Sequence, residues 1–556
     1  MQNSLFLALS FVLFLGFNGL AQQGGNQGTI QGDFNLNIQT YSEDLKINAN
    51  AVDEFLLMNG YSNLRYTNNN FLIGIRYESY LNALQDFDAR FNGNGIPYRF
   101  AQYSIDGLDI TVGNFYEQFG NGLIFRSYEE KTLGIDNVMD GIRLKYSPAK
   151  GLHLKGFFGK QRLFFEQGPG IVRGIDAELD INTAFKSLEN SKTMVLLGSS
   201  FVSRFQTSNN PVYNLPKNVG AYSFRSTVNR GKISFNSEYA YKFNDPAGGV
   251  TDNNYAPGNV IISNISYSER GFGLLFEAHR IDNMDFRSAR GVTGNELTLS
   301  YIPAITKQHT YTLAAFYPFS TQPMGELGFL GELNYNIKKK SKLGGKYGAL
   351  LTLNYSRVNG LNGGHSVLST EENHTPMFFS VKGEELYFRD ANIELKKKLN
   401  RKAKLTTSYV DMIYNKDVVQ GKNYGKNIHA RIAIAELNYK LKPKHTIRTE
   451  LQYLSVDKDK KYDQDSGDWM MALVEYTFAP HWFFAVVDQY NNGYTDKDQI
   501  VHEAVHYLNI SCGYSKGTNR FELGYGKKRE GIFCVGGVCK NVPSSNGFTF
   551  SITSSF

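Results

Sequence analysis

From Ile30 to Phe556 apolar and polar residues alternate in run after run, and this constrains the chain more than any other feature. A period of two places successive side chains on opposite faces of a strand. In the run from Gly141 to Tyr146, Ile142, Leu144 and Tyr146 share one face and Arg143 and Lys145 the other. The runs Lys232–Tyr239, Phe329–Tyr335 and Thr446–Tyr453 repeat the pattern, while Lys404–Asn415 and Trp482–Tyr490 alternate poorly. A soluble antiparallel sheet also alternates, so one strand decides nothing. Number and length decide: a membrane-crossing strand needs roughly 9–11 tilted residues, and many of these runs reach that. No run of about 20 apolar residues follows Ala21, which excludes helical spans beyond that point. The fold class is therefore all-β: a single transmembrane antiparallel barrel with short periplasmic turns and longer extracellular loops.

Turn signals set the strand number. They fall near Asn69, Asp106-Gly107, Pro148-Ala149, Ser187, Arg230-Gly231, Arg270-Gly271, Pro303, Lys342-Leu343-Gly344, Asn400-Arg401, Pro443, Pro480 and Lys516-Gly517. Most are roughly forty residues apart, the length of two strands and one longer loop. These turns imply about 26 strands, within a range of about 22–28. The outward loops are then Tyr41–Glu54, Asn82–Pro97, Tyr116–Asp140, Gln206–Lys217, Asn244–Gly258, Asn359–Pro376, Asp457–Asp468 and Lys528–Asn546. Most are rich in Asn, Gly, Asp or Ser.

The two ends agree with this reading. Leu5 to Phe17 is almost wholly apolar and Gly19-Leu20-Ala21 supplies small residues, as in a secretory signal cleaved after Ala21. The expected division is a signal peptide over 1–21, a short segment over 22–27 and the barrel over 28–556. At the other end Phe548, Phe550, Ile552 and Phe556 share one face of a strand. Ending on an aromatic at that spacing resembles the C-terminal signature of bacterial outer-membrane proteins, and this strand is expected to close the barrel on the strand that begins near Ile30.

Composition fits. Hydrophobic residues make 41% of the chain and aromatics 14%, mostly Tyr and Phe. That mix suits aromatic strands and interfacial girdles. The net charge of +7 is mild for 556 residues. No basic patch is interleaved with aromatics, so nucleic acid is not an expected partner. Lys338-Lys339-Lys340 and Lys396-Lys397-Lys398 read as solvated turns.

Three motifs invite chemistry. His502-Glu503-Ala504-Val505-His506 matches H-E-x-x-H, which binds zinc only when a helix stacks its two histidines on one face. Here the surroundings read as a strand, which would hold His502 and His506 roughly 13 Å apart with Glu503 on the opposite face. An outer-membrane metalloprotease is thus the remote alternative, and no metal, cofactor or catalytic residue is expected. Cys534 and Cys539 flank Gly536-Gly537 and suit a small disulfide-closed loop, while Cys512 reads as an unpaired strand residue. In Gly113–Glu130 glycines alternate with aromatics before charges of both signs. It is long for a plain loop, and two placements stand level: an outward loop, or a lumen loop with Glu117, Arg126, Glu129 and Glu130 at a constriction.

GNFYEQFGNGLIFRSYEE at Gly113–Glu130, the CVGGVC stretch within Tyr525–Phe548 and the terminal SITSSF together resemble an uncharacterised family of Bacteroidota outer-membrane barrel proteins. The resemblance implies location and fold, and carries no catalytic residues. A TonB-dependent receptor is not expected, because little of the sequence is left over for the N-terminal plug domain of that family. The function expected is a channel or conduit for solute or macromolecule passage in the cell outer membrane. The alternative is an accessory subunit of a larger outer-membrane assembly for protein export, barrel assembly or surface display. Expected partners are outer-membrane lipid, the barrel-assembly machinery during biogenesis and, under the alternative, other outer-membrane proteins.

Overall fold

A computed structural model describes residues 28–208, 214–246, 255–361, 385–422, 424–425, 427–458, 463–535 and 538–556. Twenty-four strands form one sheet in which every neighbouring pair is antiparallel and, apart from the pair that closes it, follows the order of these strands in the chain. The first, Thr29–Thr40, pairs with the last, Ser545–Ser555, from Asp33 opposite Ser555 to Gln39 opposite Thr549. Gly32 and Phe556 extend the seam by exchanging both backbone hydrogen bonds, at 3.0 and 2.9 Å. The sheet therefore closes where the terminal signature placed the closure. Lys404–Asn415 and Trp482–Tyr490, despite their poor alternation, lie within the strands Ala403–Asn415 and Trp482–Asn491.

Alternation sorts the two faces. Ile142, Leu144 and Tyr146 point outward and are 53%, 41% and 43% exposed, while Arg143 and Lys145 point into the lumen. Ile175, Leu451, Val474 and Leu508 continue the outward apolar band. Tyr66, Phe71, Tyr335, Tyr439, Phe478 and Trp482 stand on the outer face beside the short turns. Phe243, Tyr453, Tyr525 and Phe548 stand on it toward the long loops. An apolar band between two aromatic rows is what a barrel wall meets in a bilayer. No helix among the described residues is long and apolar enough to cross a membrane.

Eleven of the turns expected from sequence lie between consecutive strands at the end of the barrel that carries both termini. Pro303 does not mark a turn, and removing it takes two strands from the expected 26, giving 24. Residues 283–324 instead leave the wall after the strand Phe272–Asp282 and rejoin it at Gly325–Ile337. The misreading has a physical cause. Glu296 to Tyr301 alternates like a wall strand because it too has two environments: Leu297 and Leu299 are buried, and residues 286–288 hydrogen-bond to 297–299 as a small hairpin of their own. Further on, Leu313, Ala314, Phe316, Tyr317 and Phe319 are all buried, in no single parity. That unbroken apolar run was the signal of an interior segment.

The expected signal peptide over 1–21 and the segment 22–27 lie outside the described residues. So do parts of the loops expected at Gln206–Lys217, Asn244–Gly258, Asn359–Pro376 and Asp457–Asp468. The strands Gly531–Val535 and Val538–Val542 form a hairpin with Cys534 directly opposite Cys539 in register, and the side chains of this pair lie outside the described residues.

Candidate functional site

The lumen holds two inserted segments. The first follows the short strand Leu108–Phe115 and runs to residue 138. Its apolar residues pack against the inner face of the wall. Phe119, Leu123, Ile124 and Phe125 are fully buried against Phe157 and Val172 on the inner wall. The backbone amide of Asn121 donates to the Glu238 carboxylate at 2.7 Å, and Glu238 projects from the inner face of Ile233–Pro246. Gly120 makes this contact possible. Its φ is +52°, and a Cβ there would stand 2.5 Å from a Glu238 oxygen. Gly174 does the same on the wall, since a Cβ would meet the Phe119 ring at 2.7 Å. Gly174→Val is therefore expected to unseat this segment. Limited proteolysis in detergent should cut the variant within residues 116–138 under conditions that leave the parent intact.

The residues expected at a constriction are anchors. Glu117 meets Lys145 at 2.9 Å, Lys155 at 3.1 Å and Arg143 at 3.5 Å. Burial alone would raise its pKa, but the Lys145 and Lys155 ammonium groups outweigh burial and hold the carboxyl below its ordinary value. Arg126 stacks over the rings of Tyr128 and Tyr301, 4.4 and 3.9 Å from their centroids. Glu129 accepts two hydrogen bonds from Arg76 at 2.7 and 3.1 Å, and burial raises its carboxyl pKa. Glu130 caps the helical turn Lys131–Leu133 through the Thr132 amide at 3.1 Å.

Sequence reasoning missed the wall residues that complete this clamp. Arg162 meets Glu78 at 2.6 Å and Asp136 at 2.7 Å, and Arg76 reaches both carboxylates at 3.4 Å. Two arginines and three carboxylates thus bind the inserted segment to the strands Phe71–Leu81 and Leu152–Leu163. Nothing local in the sequence marks them, because the partners are 53 and 84 residues apart in the chain.

The second segment, 283–324, ties the two halves of the lumen together. Met284, Phe286, Leu299 and Ile302 join the core formed by the first insert. Leu313, Phe316, Tyr317 and Phe319 join a second core on the wall strands from Leu330 to Met471. Polar ties fix the crossing: the Leu313 amide donates to Gln452 at 2.8 Å, His309 pairs with Asp390 at 2.5 Å, and Tyr317 donates to Asp465 at 3.1 Å. Arg529, from the last loop, lies 3.5 Å from the centroid of Phe316, and burial lowers its pKa to about 10. It remains a cation at neutral pH.

What stays open is a cavity of about 830 Å³ between the inserts and the seam wall, its lining mostly apolar atoms with charged and amide side chains among them. Asn35, Asn37, Tyr61, Glu78, Arg162 and Gln489 are among its lining residues. Carboxylates and cations are both among its lining residues, so it favours neither sign of charge.

The H-E-x-x-H residues are not on a helix. Val501–His502 forms a short pair with Tyr494–Thr495, and a new strand begins at Val505. His502 pairs with Asp496 at 2.9 Å and His506 with Asp488 at 2.7 Å, so each imidazole has its own carboxylate. Among the described residues, no three His, Cys, Asp or Glu side chains are grouped to share a metal ion.

Several solved structures share the barrel form. The siderophore receptor PirA from Pseudomonas aeruginosa matches with a TM-score of 0.42 at 9% identity, over 96% of this chain and 81% of that one. The outer membrane transporter YddB from Escherichia coli gives 0.40 at 9%, over 94% and 81%. The translocation pore of the P pilus usher PapC gives 0.31 at 7%, over 95% and 99%. At such scores and identities these likenesses carry nothing about what this chain binds or moves. No curated protein matches. A model for a family of unknown function, DUF6029, matches residues 1–556.

Proposed function

The chain belongs to the DUF6029 family of unknown function, and from its own wall and lumen we propose that it is an outer-membrane barrel serving as a restricted conduit for small solutes. Membrane residence is supported by the closed sheet and by an outward apolar band between two aromatic rows. The termini and short turns then face the periplasm and the inserts enter from outside. The conduit reading is carried by the cavity of about 830 Å³ that the inserts leave against the seam. A barrel of this strand number encloses a lumen far wider than a small solute. Here its own loops narrow that lumen, which is how such a barrel avoids leaking.

Reconstitution tests this. In liposome swelling, purified protein should pass small sugars or amino acids and exclude larger oligosaccharides. Planar bilayers should show a conductance well below that of an unobstructed barrel of this size. No flux of any solute, with stable copurification of other envelope proteins, would favour the accessory-subunit reading instead.

A further inference from the structure

Three consecutive turns carry a concentration of charge that the conduit does not use. Residues 338–348, 396–404 and 440–445 contain fourteen Lys and Arg residues and no Asp or Glu. The fold sets these turns side by side at the termini end, since the strands they join are neighbours in the wall. Lys396, Lys398, Lys404 and Lys440 lie on the inner parity of their strands, alternating with the outward Ile393, Tyr409 and Tyr439. Together with Lys338, Lys339 and Lys402 they surround a depression of about 790 Å³ at the mouth of the lumen, with no carboxylate in its lining. Among the described residues, just one of the fourteen forms an ion pair, Lys396 with Glu394 at 2.7 Å.

The arrangement is unfavourable as it stands. Lys398 and Lys404 are direct cross-strand partners on the same face, and like charges so placed repel. One step deeper on the same faces stand Glu394, paired with Lys396, and Glu436, paired with Arg448 at 3.1 Å, so the excess of cations is confined to the mouth. The cations are almost all lysines, which act as point charges and select charge density rather than a planar carboxylate or phosphate geometry. They are spread over three hairpins, so a compact anion would leave most of them unneutralised.

We propose that this basic mouth docks an acidic, extended polypeptide segment of a partner on the termini side of the barrel. That this side is periplasmic rests on the outer-membrane reading, whereas the docking itself does not depend on conduction. A fluorescent oligoglutamate is the probe, with full-length protein in nanodiscs of zwitterionic lipid. Anisotropy should show binding that weakens steadily as salt is raised, with no binding of a neutral peptide. The variant Lys398→Gln, Lys402→Gln, Lys404→Gln, Lys440→Gln should bind about tenfold more weakly, the summed loss of several exposed charge pairs. Replacing the same four lysines with arginine should restore binding, and heat-modifiability on gels should be equal in all three proteins. Absence of salt-sensitive oligoglutamate binding, or equal binding by parent and glutamine variant, would overturn the proposal. Vesicles of phosphatidylglycerol against phosphatidylcholine form a second arm. Lysine-dependent preference for the anionic vesicles without oligoglutamate binding would replace the peptide with a lipid headgroup. Loss of solute flux with oligoglutamate binding intact would instead remove the conduit reading and leave this one standing.

Discussion

A barrel carrying Asn35→Cys and Thr553→Cys, in a background without the native cysteines, should oxidise to a covalently closed ring. The register makes these residues direct partners across the seam. Gly32 and Phe556 form a hydrogen-bonded pair, and such pairs alternate with non-hydrogen-bonded ones along an antiparallel ladder. Three residues along, Asn35 and Thr553 form a non-hydrogen-bonded pair, with Cα atoms about 4.5 Å apart and side chains on the lumen face. The Asn35 amide already donates to the Thr553 hydroxyl at 3.0 Å. That spacing lies within reach of a disulfide. Asn37→Cys with Ser551→Cys repeats the geometry one pair further in. The ring closed at 35 and 553 spans 553 − 35 = 518 residues, for which the chain-entropy model gives a stabilisation of about 6 kcal/mol. Non-reducing gels of heat-denatured protein should show a faster band that dithiothreitol abolishes, and peptide mapping should join the two ends of the chain. Asn35→Cys with Ser554→Cys is the control. A shift of one residue turns one thiol to the outer face, and no crosslink should form. Failure of both in-register pairs to crosslink would refute the closure.

How far the sequence carried this architecture depends on how local each signal is. Period-two alternation and turn residues act within about ten residues, so the wall, the seam and eleven turns could be read directly. Pro303 shows the limit. A segment lying on the inner wall has one packed and one polar side, so Leu297 and Leu299 alternate as a membrane strand does. The insert over Tyr116 to Glu130 was legible as unusual because its glycines and aromatics are adjacent in the chain. Its seating was not, because Glu238 and Gly174, which receive it, are distant in sequence. Nor was the basic mouth. Each lysine triplet alone reads as a solvated turn, and only strand order makes three of them neighbours.

Cutting the arginine clamp should open the lumen. Arg162 and Arg76 together neutralise Glu78, Glu129 and Asp136 at distances of 2.6 to 3.4 Å. Arg162 and Glu78 each have side chains only 4% exposed, so neither charge is hydrated when its partner is lost. Arg162→Met alone is partly covered, because Arg76 also reaches Glu78 and Asp136. Arg76→Met with Arg162→Met leaves three carboxylates facing one another between wall and insert. Removing one partner of a buried pair costs about 3–5 kcal/mol, and repulsion among the three adds to it. The cheapest relief is for the insert to leave the wall and carry Glu129 and Asp136 into water. Because Glu78, Glu129, Asp136 and Arg162 also line the open cavity, that movement widens the cavity itself. Single-channel conductance of the double variant should rise several-fold, and larger sugars should enter liposomes that exclude them with the parent. Deleting Gln118–Tyr128 should act in the same direction. Adding Glu78→Gln and Asp136→Asn to the double variant removes most of the repulsion and should bring conductance back toward that of the parent. That reversal distinguishes release of a charged clamp from general loosening of the barrel, which the added substitutions would not repair. Unchanged conductance in the double variant and in the deletion, with both still folded by heat-modifiability on gels, would show that the insert does not govern the passage.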